Sequence, residues 1–488
     1  MLYKLDNSMP TPDHIDAQIV VIGSGPGGAT TAHILAEAGL DVLIIESGPY
    51  LKLSSCQSFS LEEMRQKYRN AGQTIAFGKP RVQYVEGQCV GGGSEINSAL
   101  YHRTPDSIVE RWQQEYGVID IAPHDLSPHF EVIEHDLSIS TATSTLPRAS
   151  VILEEGSNKL GWLSMEVPRW QINDGDESPG IRNSMTRTYI PRALKNGARL
   201  LSNSTISSLR KQGSKWRLTG VCSDDGNRTN ITVNADVVVL ACGAIHTPFL
   251  LRSNGILRNV GNQLQLHPTI KLVAYFDEEV NADNIGVPVH QVKEFSPEMS
   301  FGCSISTLPY LALSMIDHPG HGIDLAARWK NMAIYYAMIM PEGRGSIRKI
   351  PGFKSPFVRF NLTQKDRSRL RLAISRLAHL LHGAGASALY PSITGGPVLT
   401  PNNVDHELPE HLPTNSTNIM TIHLFSSCPM GENKKRCATD SFGAVYGHDN
   451  LFISDASLLP TAPAVNPQGT IMAIARRNAL HFLAEHKI

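Results

Sequence analysis

The chain has 488 residues, of which 41% are hydrophobic and 18% are charged, and its formal net charge is -1 at pH 7. This composition is typical of globular proteins and excludes disordered and fibrous classes, while the length favours two domains that are interleaved or consecutive. Because the net charge is close to zero, nothing indicates nucleic acid or an anionic membrane as a partner, and we expect small molecules instead.

The cysteines and the hydropathy of the chain indicate the cellular compartment of the protein. Its seven cysteines are scattered without the paired spacing of metal sites, so we expect no metal and a reducing compartment. The amino-terminal segment lacks an apolar core, and no run of about 18 or more apolar residues follows it, so we expect no membrane span. These features predict a cytoplasmic protein.

The first predicted elements are a strand, a helix and a strand between residues 17 and 48. Ile19–Ile22 is a β-branched run bounded by glycine, as expected for a buried parallel strand. A helix follows from about Gly27 to Ala38, with Gly39 as its stop, and Val42–Ile45 forms the second strand. This order is one βαβ unit.

The turn between that strand and helix carries the pattern GxGxxG, with Gly23, Gly25 and Gly28. Such glycines allow a tight turn, leave room for a pyrophosphate and let the helix pack closely, while the helix start offers free amides. Glu46 closes the second strand 18 residues after Gly28, where a carboxylate can accept both ribose hydroxyls of an adenosine. The pattern predicts ADP binding and leaves NAD and FAD both open. The predicted contacts are Gly23, Gly25, Pro26, Gly27, Gly28, Glu46 and Ser47.

The remaining predicted elements belong to two kinds of layer. Residues 49–85 are mixed and polar, and we interpret them as a surface excursion or lid. Sheet strands resume between residues 199 and 255 and end in a strand, a tight turn and a helix. Residues 271–400 carry apolar runs interrupted by glycine and proline, which predict antiparallel strands of a second layer and a helix from Arg369. Leu451–Ser454 is another short strand, and a helix follows it.

A second glycine-rich segment, GQCVGGGSEINSALYHR, runs from Gly87 to Arg103. Its small residues bring backbone close to a flat ring system or a pyrophosphate. With this segment the chain resembles the glucose–methanol–choline (GMC) family of flavin alcohol oxidoreductases, whose signature GR-x-LGGSS-x-x-N it follows with Gln88 in place of the arginine. The likeness is nearest to the cholesterol oxidase and long-chain alcohol oxidase branches.

The resemblance implies that FAD is the cofactor. Some relatives link the flavin covalently through a histidine at the position of Ile96, so we expect FAD to be bound non-covalently. The implied contacts in this segment are Gly92, Gly93, Ser94 and Asn97.

Three further stretches resemble family motifs in the same order: ACGAIHTPFLLRSNGI from Ala241, VGNQLQLHP from Val260 and GRGSIR from Gly343. The likeness therefore covers essentially the whole chain. It implies an α/β fold, α+β overall, in which a Rossmann-like FAD-binding domain is interleaved with a substrate domain built on an antiparallel sheet. It also implies further cofactor contacts, with Ile206 and Gly243 flanking the adenosine and Asp455 and Ala456 holding the pyrophosphate or ribityl chain.

The expected domains alternate along the chain. Residues 1–150, 199–270 and 416–488 form the three parts of the FAD-binding domain, and the third part carries the catalytic residues. Residues 151–198 and 271–415 form the two parts of the substrate domain.

The carboxyl-terminal part carries the predicted chemistry. His423 opens HLFSSCPMG and Asn466 lies in VNPQGT, which resemble the HPLGGC and VNP stretches of cholesterol-oxidase-type relatives. The resemblance implies that His423 is the base for the hydroxyl proton and that Asn466 anchors the substrate oxygen. Gln468, through its backbone amide at a helix start, is expected to stabilise charge developing on the flavin. Ser426 and Ser427 replace glycine-rich residues of the family.

Other chemistry-bearing side chains are expected to be structural. The resemblance assigns no proton role to His102, His246 or His267, and we expect packing or capping roles for them. Tyr336 lies in an apolar run and is expected to belong to the sheet core.

The predicted function is FAD-dependent oxidation of a CH–OH donor to an aldehyde or ketone, by hydride transfer to flavin N5. The partners are an alcohol substrate and an electron acceptor, O2 or another. Hydroxynitrile-lyase-like and photodecarboxylase-like activities, which need no net alcohol oxidation, are the alternatives on the same fold. Flavin content does not separate these activities, whereas anaerobic bleaching of the flavin by an alcohol does.

Overall fold

The computed structural model describes residues 2–3, 14–141, 146–172, 181–224, 226–283 and 286–487. The helices of these residues are α1 (Pro26–Glu37), α2 (Leu61–Lys67), α3 (Asp106–Tyr116), α4 (Pro123–Asp136), α5 (Arg148–Lys159), α6 (Tyr189–Lys195), α7 (Gly243–Ser253), α8 (Leu308–Ser314), α9 (Gly322–Arg328), α10 (Gln364–Gly383), α11 (Val404–Glu407) and α12 (Gln468–Glu485).

The strands of the same residues are β1 (Leu2–Tyr3), β2 (His14–Ile22), β3 (Val42–Ile45), β4 (Thr74–Ala76), β5 (Val82–Tyr84), β6 (Ser164–Glu166), β7 (Gln171–Ile172), β8 (Ile181–Arg182), β9 (Arg199–Leu201), β10 (Ser204–Gln212), β11 (Lys215–Asp224), β12 (Asn227–Leu240), β13 (Gln265–Leu266), β14 (Thr269–Phe276), β15 (His290–Val292), β16 (Met299–Cys303), β17 (Met332–Ile339), β18 (Arg344–Arg348), β19 (Phe357–Asn361), β20 (Ala386–Pro391), β21 (Ile419–Thr421), β22 (Leu424–Phe425) and β23 (Leu451–Ile453).

The first sheet has the strand order β1-β9-β3-β2-β12-β11-β10, and β23 also pairs with β12. The strands β1, β9, β3, β2, β12 and β23 pair in parallel, and β11 and β10 extend the sheet in antiparallel fashion. Ile19–Ile22 at the centre is buried, since neighbouring strands and helices cover it. Its core continues into α1, whose buried residues include Ala29, Ala32 and Leu35. This is the predicted Rossmann-like layer.

The second sheet has the order β4-β5-β21-β14-β17-β16-β15-β6, with β20 also paired to β14. Its pairs are antiparallel except for β5 with β21. On one face, residues such as Leu272 and Tyr335 pack with α5 and α10 in a large core. On the other face, Val273 and Ile334 pack with Leu311 of α8 in a smaller core. Strand alternation accounts for this division, because successive side chains point to opposite faces.

The structure confirms the predicted α/β class. The start of one helix differs from the start predicted from the sequence. The helix expected from Arg369 begins earlier, at Gln364, because the Thr363 hydroxyl accepts from the Asp366 amide while the Asp366 carboxylate accepts from the Thr363 amide. This reciprocal capping box extends the helix start.

The division into domains stays a prediction, but three stretches pair or pack away from the region to which the sequence assigned them. The expected surface excursion, residues 49–85, contains β4 and β5, which join the second sheet with Val82 buried. In the expected substrate segment 151–198, Tyr189 and Ala193 of α6 pack in the core of the first sheet. The strand β21 at the start of the third FAD-binding segment belongs to the second sheet. The sequence pattern did not indicate which sheet these stretches join.

No described helix is both long enough and apolar enough to cross a bilayer. The described residues also contain no group of three or more histidine, cysteine or carboxylate side chains placed to hold a metal ion.

Candidate functional site

The glycine turn after β2 lies where several distant parts of the chain meet. Gly23 has φ +107°, and a Cβ added there would lie 2.1 Å from the Ala241 carbonyl oxygen at the end of β12. A Cβ on Gly27 would lie 2.1 Å from the Ser454 carbonyl oxygen just after β23. Only glycine permits these approaches of backbone to backbone.

The same turn leaves space on its outer side. No atom lies within 4 Å of a Cβ added to Gly25, which caps α1 without a side-chain hydrogen bond. Pro26 occupies the first turn of α1, and Gly28 packs so closely that its Cβ would lie 2.1 Å from the Gly23 carbonyl oxygen. An open helix start with free amides and a positive dipole end suits a phosphate.

Glu46 is held rigidly at the end of β3. Its Oε2 accepts from the amide and hydroxyl of Ser24 at 3.0 and 2.8 Å, and its Oε1 accepts from the Ser47 hydroxyl and the Gly48 amide, both at 3.0 Å. The residue is 7% exposed. Its carbonyl accepts from the Ser204 amide, which brings the strand carrying the buried Ile206 alongside. The predicted ribose contact and the adenosine-flanking segment therefore adjoin.

The second glycine-rich segment lies against the first. The Gly91 amide donates to the Ser24 hydroxyl at 3.1 Å, and a Cβ on Gly92, whose φ is +53°, would lie 2.9 Å from the Gly25 Cα. A Cβ on Gly93 would meet no atom within 4 Å, so this position is open. The Ser94 hydroxyl donates to the Gly91 carbonyl at 2.7 Å and accepts from a backbone amide, so it stabilises the turn itself.

Two predicted contacts from opposite ends of the chain are hydrogen-bonded to each other. Asn97 Nδ2 donates to Gln468 Oε1 at 2.7 Å, at the amino end of α12. Asn97 Oδ1 accepts from the Ala99 amide at 3.0 Å. The start of α12 is thereby held next to the second glycine-rich segment.

The carboxylate of Asp455 has partners within the protein. Its Oδ2 accepts from the Gly243 amide at 2.9 Å and the Thr247 hydroxyl at 2.5 Å, and its Oδ1 accepts from the Ser457 amide at 2.8 Å. Burial raises its pKa above the usual range despite these hydrogen bonds. The Asp455 side chain therefore caps the start of α7.

His423 and Asn466 lie together, as predicted, at the junction of the two sheets. Asn466 Nδ2 is 3.5 Å from His423 Nε2, and Asn466 Oδ1 accepts from Gln291 Nε2 at 3.3 Å. His423 Nδ1 is 3.1 Å from His267 Nδ1. One assignment satisfies all of these contacts: His423 donates from Nδ1 to His267 and presents the lone pair of Nε2 towards Asn466.

The electrostatics of His423 depart from those of an exposed imidazole. Burial, with a smaller contribution from the charge of Lys293, lowers its pKa from 6.5 to about 4. Burial and the neighbouring His423 and Lys293 also hold the pKa of His267 well below its usual range. Both rings are therefore neutral at physiological pH, and His423 can accept a proton.

The family motif around His423 departs from glycine at a position with a positive φ. Ser426 has φ +64°, a left-handed conformation that favours glycine, and its buried Oγ has no partner among the described residues. The Ser427 side chain does have a hydrogen-bond partner, because its hydroxyl donates to the Ala244 carbonyl at 2.6 Å.

Sequence reasoning missed part of this site. His267 was expected to pack or cap, and its ring contacts His423 instead. Tyr336 was expected to belong to the core, but its hydroxyl accepts from Gln291 Nε2 at 2.8 Å, next to Asn466. The HP that ends VGNQLQLHP was the one available signal for His267, whereas no motif marked Gln291.

The geometry around the two glycine turns is suitable for binding an FAD molecule. Two glycine turns approach each other and leave Gly25 and Gly93 open, next to a helix start without a side-chain cap. The chain from Gly23 to Asn97 then leads directly to the His423 and Asn466 pair through Gln468. A dinucleotide with a redox-active ring at one end matches this continuous arrangement.

Comparisons with known proteins agree with the geometry. The family description GMC oxidoreductase matches residues 64–269 and 341–475, and an NAD(P)-binding Rossmann-like domain matches residues 21–68. An uncharacterised GMC-type oxidoreductase of Sinorhizobium fredii is 38% identical over 95% of this chain and 94% of its own length. A long-chain-alcohol oxidase of Arabidopsis thaliana is 26% identical over 94% of this chain and 66% of its own length.

Solved structures share the fold. Pyridoxine 4-oxidase from Mesorbium loti has a TM-score of 0.75 at 20% identity, covering 96% of this chain and 99% of that chain. A formate oxidase variant of Aspergillus oryzae, studied for its FAD modification, has a TM-score of 0.76 at 17% identity, covering 98% of this chain and 100% of that chain.

Proposed function

This chain belongs to the GMC oxidoreductase family, its cofactor is FAD, and we propose that it oxidises an alcohol with His423 as the base and Asn466 as the oxygen anchor. The observation that carries the proposal is the placement of His423 Nε2 within 3.5 Å of Asn466 Nδ2, a proton acceptor beside a hydrogen-bond donor. The long-chain-alcohol oxidases among the relatives support an alcohol as substrate.

The proposed chemistry divides between two side chains. Asn466 Nδ2 donates to the substrate oxygen, and His423 Nε2 takes the hydroxyl proton as the oxidation proceeds. When bound, FAD supplies the acceptor for the hydride of the carbinol carbon. His267 keeps the His423 tautomer fixed through the 3.1 Å contact between their Nδ1 atoms, so that the lone pair faces the substrate.

The proposed cofactor contacts follow the order of the site. The turn Gly23–Gly28 and the start of α1 would hold the pyrophosphate, and Glu46 with Ser47 would hold the adenosine ribose, while the segments at Ile206 and Gly243 would flank the adenine. Gly92, Gly93, Ser94, Asn97, Asp455, Ala456 and Gln468 would complete the site.

Two further features belong to the proposal. Because Ile96 cannot form a bond to the flavin, the proposal includes non-covalent binding. The electron acceptor, O2 or another compound, and a cytoplasmic location stay predictions.

The decisive experiment is anaerobic mixing of the yellow holoenzyme with a panel of alcohols, followed by admission of air. Bleaching by an alcohol supports oxidation, and its absence with every alcohol would favour lyase-like or photodecarboxylase-like activity instead. Rapid reoxidation by air indicates an oxidase, and persistent reduction indicates a dehydrogenase.

His423→Ala should retain FAD but slow bleaching about 10²-fold or more, because the proton acceptor is lost. The matched control is His318→Ala, which removes another buried histidine whose Nε2 lies 2.7 Å from the Pro391 carbonyl. Equal rates in His423→Ala and wild type would remove His423 from the mechanism.

A further inference from the structure

The face of the second sheet opposite α5 and α10 packs against α8 over only part of its length. Val273 and Ile334 on this face pack with Leu311 of α8. Two residues further along β14 and β17, the next pair on the same face is Lys271 opposite Tyr336. We refer to the part of the face beyond Val273 and Ile334 as the open face.

Register defines the first row of the open face. Gln291 on β15 lies opposite Gly302 on β16, which lies opposite Tyr336 on β17. A Cβ added to Gly302 would lie 2.4 Å from Tyr336 Oη, so the tyrosine crosses above this glycine to reach Gln291. Gln291 then contacts Asn466, which places this row beside the proposed substrate oxygen.

The second row contains a buried amine. Lys293 follows the last residue of β15, and its amide donates to the Leu163 carbonyl at 2.8 Å, so the extended pairing with the β6 edge continues. Strand alternation therefore puts Lys293 on the same face as Gln291, one step along from it. Ser300, opposite Met338 on this face, lies one step beyond Phe301, the last residue of β16 that pairs with β15.

Both polar groups of this second row lack partners. The Lys293 Nζ is buried and has no hydrogen-bond partner among the described residues, and the same holds for the Ser300 Oγ. The lysine nevertheless lies close enough to act on the site, because its charge contributes to lowering the pKa of His102, His267 and His423. A buried ammonium without an anionic partner is costly, and native proteins rarely leave one unpaired.

We propose that Lys293 binds an anionic group of the substrate, so that the enzyme takes alcohols that also carry a carboxylate. This inference rests on the proposed function and names its substrate class. A single amine beside the unpartnered Ser300 hydroxyl suits a carboxylate, whose two oxygens accept one hydrogen bond from each. A phosphate would call for more donors, such as the planar fork of an arginine.

Lys293 shares the open face with Lys271, and burial lowers the pKa of both amines to about 8. The histidines around it, His102, His267 and His423, are neutral because burial lowers the pKa of each. Burial raises the pKa of the Tyr336 hydroxyl, and Glu294, the acid next along the chain, accepts from the Leu163 amide at the strand edge. Burial lowers the pKa of Lys293 from 10.5 to about 8, so carboxylate affinity should fall as pH rises through about 8.

The test measures binding without turnover. Oxidised holoenzyme is titrated with straight-chain carboxylates from butanoate to octanoate, and with the neutral amides of the same lengths, and the flavin absorbance is followed. At least one carboxylate should bind at pH 7 about tenfold or more tightly than its amide, and Lys293→Met should abolish that preference. The preference should also disappear above pH 8 in the wild type.

A matched control separates Lys293 from positive charge in general. Lys271 is on the same face, burial lowers its pKa to about 8 as well, and it contributes to none of the three histidine shifts. Lys271→Met should therefore keep the carboxylate preference. An equal loss in Lys271→Met, or no preference in the wild type, would overturn the assignment to Lys293.

The outcomes distinguish this inference from the proposed function. Anaerobic bleaching by 6-hydroxyhexanoate and by 1-hexanol is measured in parallel with the titrations. If both alcohols bleached the flavin with the same dependence on concentration, alcohol oxidation would be upheld and the requirement for a carboxylate would be overturned. Tight carboxylate binding without bleaching by any alcohol would uphold the anion site and overturn alcohol oxidation.

Discussion

The glycine turns and the open face use polar groups in opposite ways. Around the glycine turns, Glu46, Ser94 and Asp455 each have partners within the protein. On the open face, the buried polar atoms of Lys293 and Ser300 have none among the described residues. A region whose polar groups are already paired can be rigid before its ligand arrives, whereas unpaired groups depend on the ligand to complete them. We therefore expect the first region to define where the cofactor lies and the second to define which substrate is accepted.

The largest effect should come from disturbing the glycine turn. Gly23→Ala places a Cβ 2.1 Å from the Ala241 carbonyl oxygen at a φ of +107°, so β2 and β12 cannot keep their spacing. We expect FAD content below about one tenth of wild type and a lower melting temperature, because both strain and steric overlap act there. Absorbance of the purified protein at the flavin band measures the first effect.

Gly39→Ala is the matched control for that change. Gly39 also has a positive φ, +84°, but a Cβ there would meet no atom within 4 Å. It should cost only about 1 kcal/mol of folding free energy and retain FAD. If both variants lost FAD equally, close approach at Gly23 would not be what shapes the cofactor region.

A smaller effect is expected at Glu46. Glu46→Ala should raise the Kd for FAD about tenfold or more, because it removes the proposed ribose acceptor and the hydrogen bonds that position Ser24. Glu432→Ala is the control, since Glu432 likewise accepts from the amide and hydroxyl of a serine, Ser441. Fluorescence titration of apoprotein with FAD should show unchanged affinity in the control. Wild-type affinity in Glu46→Ala would contradict the ribose assignment.

The smallest effect concerns the backbone that joins the two regions. Ser426→Gly should raise the free energy of unfolding by about 1 kcal/mol, because it relieves a positive φ and removes a buried hydroxyl without a partner. Ser427→Gly should lower it, since the hydrogen bond to Ala244 is lost. Denaturant unfolding of the two holoenzymes measures the difference. If both variants changed the free energy of unfolding in the same direction, the backbone conformation of Ser426 would not affect stability.

The glycine turns could be predicted from the sequence better than the open face, and the reason is physical. The glycine turns depend on residues close together in the chain, and their chemistry requires glycine, so Gly23 to Glu46 predicted the βαβ unit and ADP binding. The choice of FAD over NAD came from the family resemblance. His423 and Asn466 were also identified through short motifs. The pKa of His423 could not be predicted from the motif, because its shift to about 4 arises from burial in the folded protein.

The open face was not predictable in the same way. Gln291 lies on β15 and Lys293 directly after it, and both share a face with Tyr336 only through the register of β15, β16 and β17. Each residue taken alone is an ordinary strand or surface residue, and no spacing within the chain links Tyr336 to the other two. The pairing of β4 and β5 with the second sheet was not predictable for the same reason, since partner choice in a sheet depends on the whole fold.

The contacts of the glycine turn also constrain when the protein can become functional during its synthesis. Gly27 lies against Ser454, and the Thr31 hydroxyl is 2.7 Å from the Ser454 hydroxyl, although these residues are more than four hundred positions apart. A ribosome has therefore made nearly the whole chain before the first turn acquires its last neighbour. Such distant pairing slows folding, and the nascent amino-terminal part exposes apolar strand surface in the meantime. We therefore expect cofactor loading to be a late step, and cellular yield of the active protein should depend on chaperones and on flavin supply after translation.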